Sequence, residues 1–153
     1  MNTIIYRHRK ENKKKCTLSP LENREDIIFF KYPKDILSDL FGYIILTINA
    51  PILTIKEKER PIFLIDATWR YSKKMLDSLP NKEKLIYRSI PKIYKSAYPR
   101  KQTDCPDPTR GLASIEALFL ANYILKRKTD GLLDNYHWKD EFLKINHLPY
   151  LQP

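Results

Sequence analysis

The sequence predicts an α/β protein with a mostly parallel sheet and a helical C-terminal part. Short runs of Ile, Leu and Phe recur through the first half of the chain. They scarcely alternate with polar residues, as expected of strands covered on both faces rather than one. Helical spacing of apolar residues begins only after Trp69. The stretch from Ile115 to Leu125 is apolar almost all round, the pattern of a deeply buried helix.

Thr3-Ile4-Ile5-Tyr6 reads as the first strand, followed by a basic loop from Arg7 to Lys15. Ile27-Ile28-Phe29-Phe30 reads as the second, broken by Pro33. A third runs from Gly42 to Ile48, stopped by Asn49-Ala50-Pro51. A fourth, Pro61 to Ile65, ends at Asp66. Tyr71, Met75, Leu76 and Leu79 then share a helical face that Pro80 closes. Tyr94 to Arg110, rich in Pro, Asp, Thr and Arg, is expected to be a loop. Ser114 is the expected N-cap of the apolar helix. Asp134 to Ile145 predicts a last helix with Trp138, Phe142 and Ile145 on one face. The chain divides into an N-terminal α/β part, 1–69, and a mainly helical part, 70–153, that completes one site and can share one compact domain with it.

With 153 residues, 42% of them hydrophobic, the chain can bury a real core. Its formal charge of +10 is not evenly spread. Residues 1–34 hold nine Lys/Arg against four Asp/Glu, and 70–101 hold ten against two. Two basic blocks favour a polyanionic partner, and nucleic acid is the usual one; a lysine-rich solvated surface is the plainer alternative. No apolar segment approaches the ~18 residues of a membrane span, nor is there a signal-peptide run. A cytoplasmic protein with no membrane partner is therefore expected. Cys16 and Cys105 form no CxxC pair, and the three histidines are scattered, so no metal is expected. P-loop, GxGxxG, HExxH and Ser-His-Asp patterns are absent, which disfavours nucleotide triphosphatases and ordinary dinucleotide enzymes.

Asp66 and Trp69 are the leading site candidates. An acid where a strand meets a helix lies where open α/β sheets bind ligands, and it can accept a proton. A nearby indole can stack on a base or face a sulfonium cation. Alternatively, Asp66 caps the helix and Trp69 fills core. Leu112 to Ala117 is the second candidate, because Ser114 would stand at a helix start, where free amides bind carboxylates. Glu116 in the first turn suits the helix dipole, a purely structural role that stays open.

Together these segments resemble the ribosome-biogenesis aminocarboxypropyltransferases that modify small-subunit rRNA, and their relatives, the DTW-domain tRNA-uridine aminocarboxypropyltransferases. Lys15-Cys16-Thr17 resembles an early Cys-Ser/Thr element. Asp66-Ala67-Thr68-Trp69 matches an Asp-x-Ser/Thr-Trp signature. Ile90-Pro91 is similar to a Leu-Pro step, and Leu112-Ala113-Ser114-Ile115-Glu116-Ala117 to a Leu-Ser-Thr-x-Glu-Ala helix start. Tyr136 to Asn146 is similar to the ending of the rRNA branch. The chain departs from the pattern at Leu18, where Gly is usual, at Ser96-Ala97-Tyr98-Pro99-Arg100, and at Ala113 and Ser114.

The resemblance implies a SPOUT-like fold with a trefoil-knotted cofactor site and S-adenosyl-L-methionine as group donor. Trp69, Ile90, Leu112 and Ala117 would enclose the adenine and the sulfonium methyl, with Ser72 beside that methyl. Thr17 and Ser114 would hold the amino-acid end. Asp66 would support the pocket or act as catalytic base on N3 of a uridine or pseudouridine. The RNA partner, rRNA more than tRNA, would be gripped by Arg7, Arg9, Lys10, Lys13, Lys14, Lys15, Arg70, Lys73, Arg100 and Lys101. A monomer is expected. A SPOUT-like methyltransferase and a non-catalytic RNA-binding assembly protein are the rival readings. A Mg²⁺ nuclease lacks paired carboxylates.

Overall fold

The computed structural model describes residues 2–12, 16–99 and 111–148. Five strands form one sheet: β1 (Thr3–His8), β2 (Ile27–Tyr32), β3 (Ile44–Leu46), β4 (Ile62–Asp66) and β5 (Ile86–Arg88). Their order is β2-β1-β4-β3-β5 and every pairing is parallel. The helices are α1 (Trp69–Asp77), α2 (Ser114–Ile124) and α3 (Lys139–Ile145).

Why the apolar runs do not alternate is visible in the packing. Successive strand residues point to opposite faces, and both faces are covered. Ile5, Ile44, Ile62 and Leu64 face α2 and α3, meeting Leu118, Phe119, Phe142 and Leu143. Ile4, Tyr6, Ile45 and Phe63 face the other way, towards Met75 of α1, Leu79, Leu85, Leu37 and Leu40. Phe119 packs edge-on against Phe142 with ring centroids 6.0 Å apart, tying α2 to α3. A Phe119→Ala change at such a fully buried site costs about 3–5 kcal/mol.

Several elements differ from expectation. β1 runs two residues further, to His8, because Arg7 and His8 pair onward with Lys31 and Tyr32 of β2. β3 is confined to Ile44–Leu46, entered from a turn in which Gly42 takes φ +80°. β5 is a strand that no long apolar run announced; pairing with β3 makes it. α3 begins at Lys139 rather than Asp134, since residues 131–136 wind through turns that bury Leu132, Leu133 and Tyr136. Ser114 is the first residue of α2, and Ala113, with extended backbone, occupies the cap position.

β4 lies at the centre of the sheet, between β1 and β3. Asp66 therefore emerges in the middle of the sheet's C-terminal edge, directly beside Arg7 in the β1–β4 register.

Candidate active site

A cleft of about 1110 Å³ opens along that edge, a size suited to a small-molecule ligand. Its floor comes from the ends of β3 and β4 and the segment after β1, and its walls from the segment after β5 and from the start of α2. Thr17, Asp66, Ser72, Ile90, Leu112, Ser114 and Ala117 all line it. They come from four separate segments of the chain, which meet where the parallel strands end and α1 and α2 begin. Trp69 opens α1 directly after Asp66-Ala67-Thr68; the position of its indole lies outside the described residues.

Asp66 is 3% exposed. Its Oδ2 accepts hydrogen bonds from Arg7 Nε at 3.0 Å and from the Cys16 thiol at 3.0 Å. Its Oδ1 faces the Ser114 hydroxyl at 3.5 Å. Arg7 also donates to Glu22 and lies over the Phe29 ring, 4.7 Å from its centroid. Burial, followed by the Asp66 charge and hydrogen bond, pushes the Cys16 thiol up to about 12, so it is a protonated donor here. Glu11 completes the group: Glu11, Cys16 and Asp66 each offer an atom within 4.8 Å of the others. The Arg7 guanidinium already contacts Asp66 and Cys16, so this cluster carries its own counter-charge.

The start of α2 is capped from outside the helix. The Ile115 amide donates to Thr17 Oγ1 at 3.2 Å, tying the Cys16-Thr17 segment to the helix. A hydroxyl that accepts this amide still has its own proton to donate. The expected Ser114 cap is corrected accordingly, because the Ser114 hydroxyl turns towards Asp66 instead.

Glu116 is fully buried and does more than suit a helix dipole. Its carboxylate accepts from the Ala113 amide at 2.7 Å, the Ser96 hydroxyl at 2.6 Å, the Ala97 amide at 2.9 Å and the Tyr136 hydroxyl at 2.9 Å. Asn146, capping α3, pairs with both backbone groups of Lys95 at 2.7 and 2.8 Å. Trp138 meets Tyr98 edge-on, with centroids 5.1 Å apart. Residues 94–98 are thereby clamped, and they carry Tyr94 and Tyr98 into the cleft wall. This clamp explains why Tyr136, Trp138 and Asn146 accompany the site although none of them lines it.

The basic residues separate into groups. Arg9, Lys10, Arg70 and Lys73 are exposed, and Lys10 and Lys73 stand on the cleft rim. Lys10 Nζ and the Arg70 guanidinium lie 5.8 and 5.6 Å from the Tyr71 ring centroid. Behind that ring stacks His8, with centroids 4.2 Å apart. His8 is buried, and burial with the nearby charges of Arg9, Lys10 and Lys74 lowers its pKa, favouring the neutral ring. Arg7 does not belong with the surface cations: it is 5% exposed and ion-paired to Asp66 and Glu22, so no phosphate reaches it. Lys13, Lys14, Lys15, Arg100 and Lys101 lie outside the described residues.

Sequence reasoning overlooked Glu11, and one signal could have found it. Glu11 is the sole acid in the basic run from Arg7 to Lys15. Tyr94 and Tyr98 were overlooked as cleft walls, since only the clamp from α2 and α3 brings them there.

Fold and site together define a class: a doubly covered parallel α/β protein with a ligand cleft at the carboxyl ends of its strands, capped by a helix start. Within that class the chain is similar to the SAM-dependent rRNA:acp-transferase Tsr3 from Vulcanisaeta distributa, with a TM-score of 0.73 and 27% sequence identity. The match covers 95% of this chain and 78% of that one. No protein-family model matches the sequence, and no curated protein does. Among the described residues no helix is long and apolar enough to cross a membrane.

Proposed function

We propose that this chain transfers the 3-amino-3-carboxypropyl group of S-adenosylmethionine to N3 of a uridine or pseudouridine in structured RNA, rRNA in preference to tRNA. The carrying observation is the meeting of Thr17, Asp66, Ser72, Ile90, Leu112, Ser114 and Ala117 in one cleft, on a fold shared with an rRNA:acp-transferase. The preference for rRNA is supported by the element from Tyr136 to Asn146, which clamps the Tyr94 and Tyr98 wall.

The bound donor supplies an electrophilic carbon on a sulfonium: the acceptor nitrogen forms the new C–N bond, and the C–S electron pair stays on sulfur, leaving methylthioadenosine. The chain's own contribution is placement and exclusion of water. Ile90, Leu112 and Ala117, with Trp69, would enclose the adenine and, beside Ser72, cover the sulfonium methyl. That orientation leaves the aminocarboxypropyl carbon facing the acceptor. Thr17 and Ser114, at the start of α2, suit the carboxylate and amine of the amino-acid end. Asp66, fixed by Arg7 and Cys16, holds Ser114 and the strand end in register. The exposed cations Arg9, Lys10, Arg70 and Lys73 suit an RNA backbone, and the reaction needs no metal. The same reading includes a trefoil-knotted cleft in a cytoplasmic monomer.

The test is product analysis after incubation with S-adenosylmethionine and rRNA. Methylthioadenosine supports the proposal. S-adenosylhomocysteine overturns it in favour of a methyltransferase on the same fold. Absence of S-adenosylmethionine binding by calorimetry overturns it in favour of a non-catalytic RNA-binding protein.

A further inference from the structure

We propose that Glu11 takes the proton from the acceptor base, and that Asp66 is a positioning residue. This inference rests on the aminocarboxypropyl transfer proposed above.

Asp66 has the right location for a base but the wrong surroundings. Arg7 and Cys16 both donate to its Oδ2 and Ser114 faces its Oδ1, so hydrogen-bond donors meet both oxygens. Its Oδ2 is thereby committed inside the protein, to the Arg7 ion pair and the Cys16 thiol, rather than turned to a substrate. Taking a proton there would break the ion pair that joins β1 to β4.

Glu11 stands beside it under different conditions. It follows β1, its amide donating to the His8 carbonyl at 3.0 Å, and it lines the cleft. Among the described residues its carboxylate accepts no hydrogen bond and forms no ion pair. The groups facing it are Asp66 from β4, Arg7 from β1, and Cys16 from the segment that returns to α2. Lys10 is its chain neighbour, and Lys73 of α1 lines the same cleft. Cys16 is a neutral thiol, so the facing charges are one repelling carboxylate and one attracting guanidinium already engaged by Asp66 and Glu22. Burial, then the Asp66 charge, raises the Glu11 carboxyl from 4.5 to about 7. A carboxylate poised there is ionised near neutrality yet basic enough to share a proton in the transition state.

The step balances without a further reactant. As the N3–carbon bond forms and the carbon–sulfur bond breaks, the sulfur keeps the electron pair. The N3 proton passes to Glu11, which later releases it to solvent.

The experiment compares wild type, Glu11→Gln, Glu11→Asp and Asp66→Asn. Single-turnover rates are measured across pH, and S-adenosylmethionine affinity by calorimetry. Glu11 titration is followed by carboxyl-labelled NMR, which needs no turnover. The wild-type rate should rise through about pH 7 and level off. Glu11→Gln should bind S-adenosylmethionine, lose about 10²–10⁴-fold in rate and lose that inflection, with Glu11→Asp recovering part of it. Asp66→Asn should retain an inflection, moved to lower pH because the charge that helps raise the Glu11 carboxyl is gone.

Glu11→Gln with wild-type rate and profile, beside a wild type that forms methylthioadenosine, overturns this inference alone. So does loss of S-adenosylmethionine binding in Glu11→Gln, which would make Glu11 a pocket-building residue, or a Glu11 resonance titrating at the ordinary carboxyl value. A wild type that forms no methylthioadenosine overturns the transfer reading and this inference with it.

Discussion

Arg7 Nε lies 3.0 Å from Asp66 Oδ2, an almost dry ion pair linking the ends of two adjacent strands. Removing Arg7 leaves Asp66 buried without its counter-charge, at a cost of about 3–5 kcal/mol, whereas removing the Asp66 charge leaves Arg7 with Glu22 alone and costs less. Arg7→Met and Asp66→Asn should therefore each unfold at lower urea concentration. Because each change removes the same interaction, the double variant should lose less than the sum of the two. Strict additivity would show that the pair is not coupled.

The clamp on residues 94–98 predicts an effect at a distance. Asn146→Ala removes both hydrogen bonds to the Lys95 backbone, and Tyr136→Phe removes one donor to buried Glu116. Each should cost about 1–3 kcal/mol of stability. Each should also weaken S-adenosylmethionine binding measured by calorimetry, although neither residue lines the cleft. Unchanged affinity alongside lowered stability would uncouple the clamp from the ligand site.

How far the sequence foretold this structure depends on whether an element is made locally. Ile4-Ile5, Ile27-Ile28, Ile44-Ile45 and Phe63-Leu64 carry enough local hydrophobicity to mark four strands, and their lack of alternation implied the doubly covered parallel sheet. Ile86–Arg88 is only half-buried and becomes a strand through pairing with β3, a partner some 40 residues away, so no local pattern marked it. Asp66 and the Leu112–Ala117 segment were legible because strand ends and helix starts are where ligands bind. Arg7 was misread as part of a basic loop. Had β1 been continued by two residues, period-two alternation would have put Arg7 on the same face as Ile5, beside Asp66. The thiol donor of Cys16 and the four donors to Glu116 are long-range arrangements that depend on the completed fold.

The exposed cations on the rim carry a salt-dependence prediction. Lys10 and Arg70 flank the Tyr71 ring, and Lys10 and Lys73 line the cleft; each phosphate contact contributes roughly 0.7–0.9 to the slope of log affinity against log salt. Changing all three to Ala should reduce that slope for rRNA binding by about 2–3, read by filter binding over a salt series. Arg7→Met, by contrast, should leave the slope unchanged, because its guanidinium is buried. An unchanged slope in the triple variant would move the RNA track off this rim.

The raised Glu11 carboxyl also makes a prediction about stability. A carboxyl whose folded pKa exceeds its unfolded value binds its proton more tightly when folded. The resulting stability is fully present below 4.5 and is lost as pH rises through about 7. His8 works in the opposite sense: burial, then Arg9, Lys10 and Lys74, depress its pKa below 6.5, so its contribution is present above that value and is lost as pH falls. Wild-type melting alone would therefore mix two opposed trends in one pH window. Glu11→Gln isolates one of them, since glutamine resembles the protonated carboxyl at every pH. The variant should match wild type in melting temperature at pH 4, below the unfolded value of 4.5, and exceed it at pH 8. A difference that stays flat across that range would mean that Glu11 keeps an ordinary carboxyl pKa in the folded chain, and it would remove the electrostatic ground for assigning it the proton.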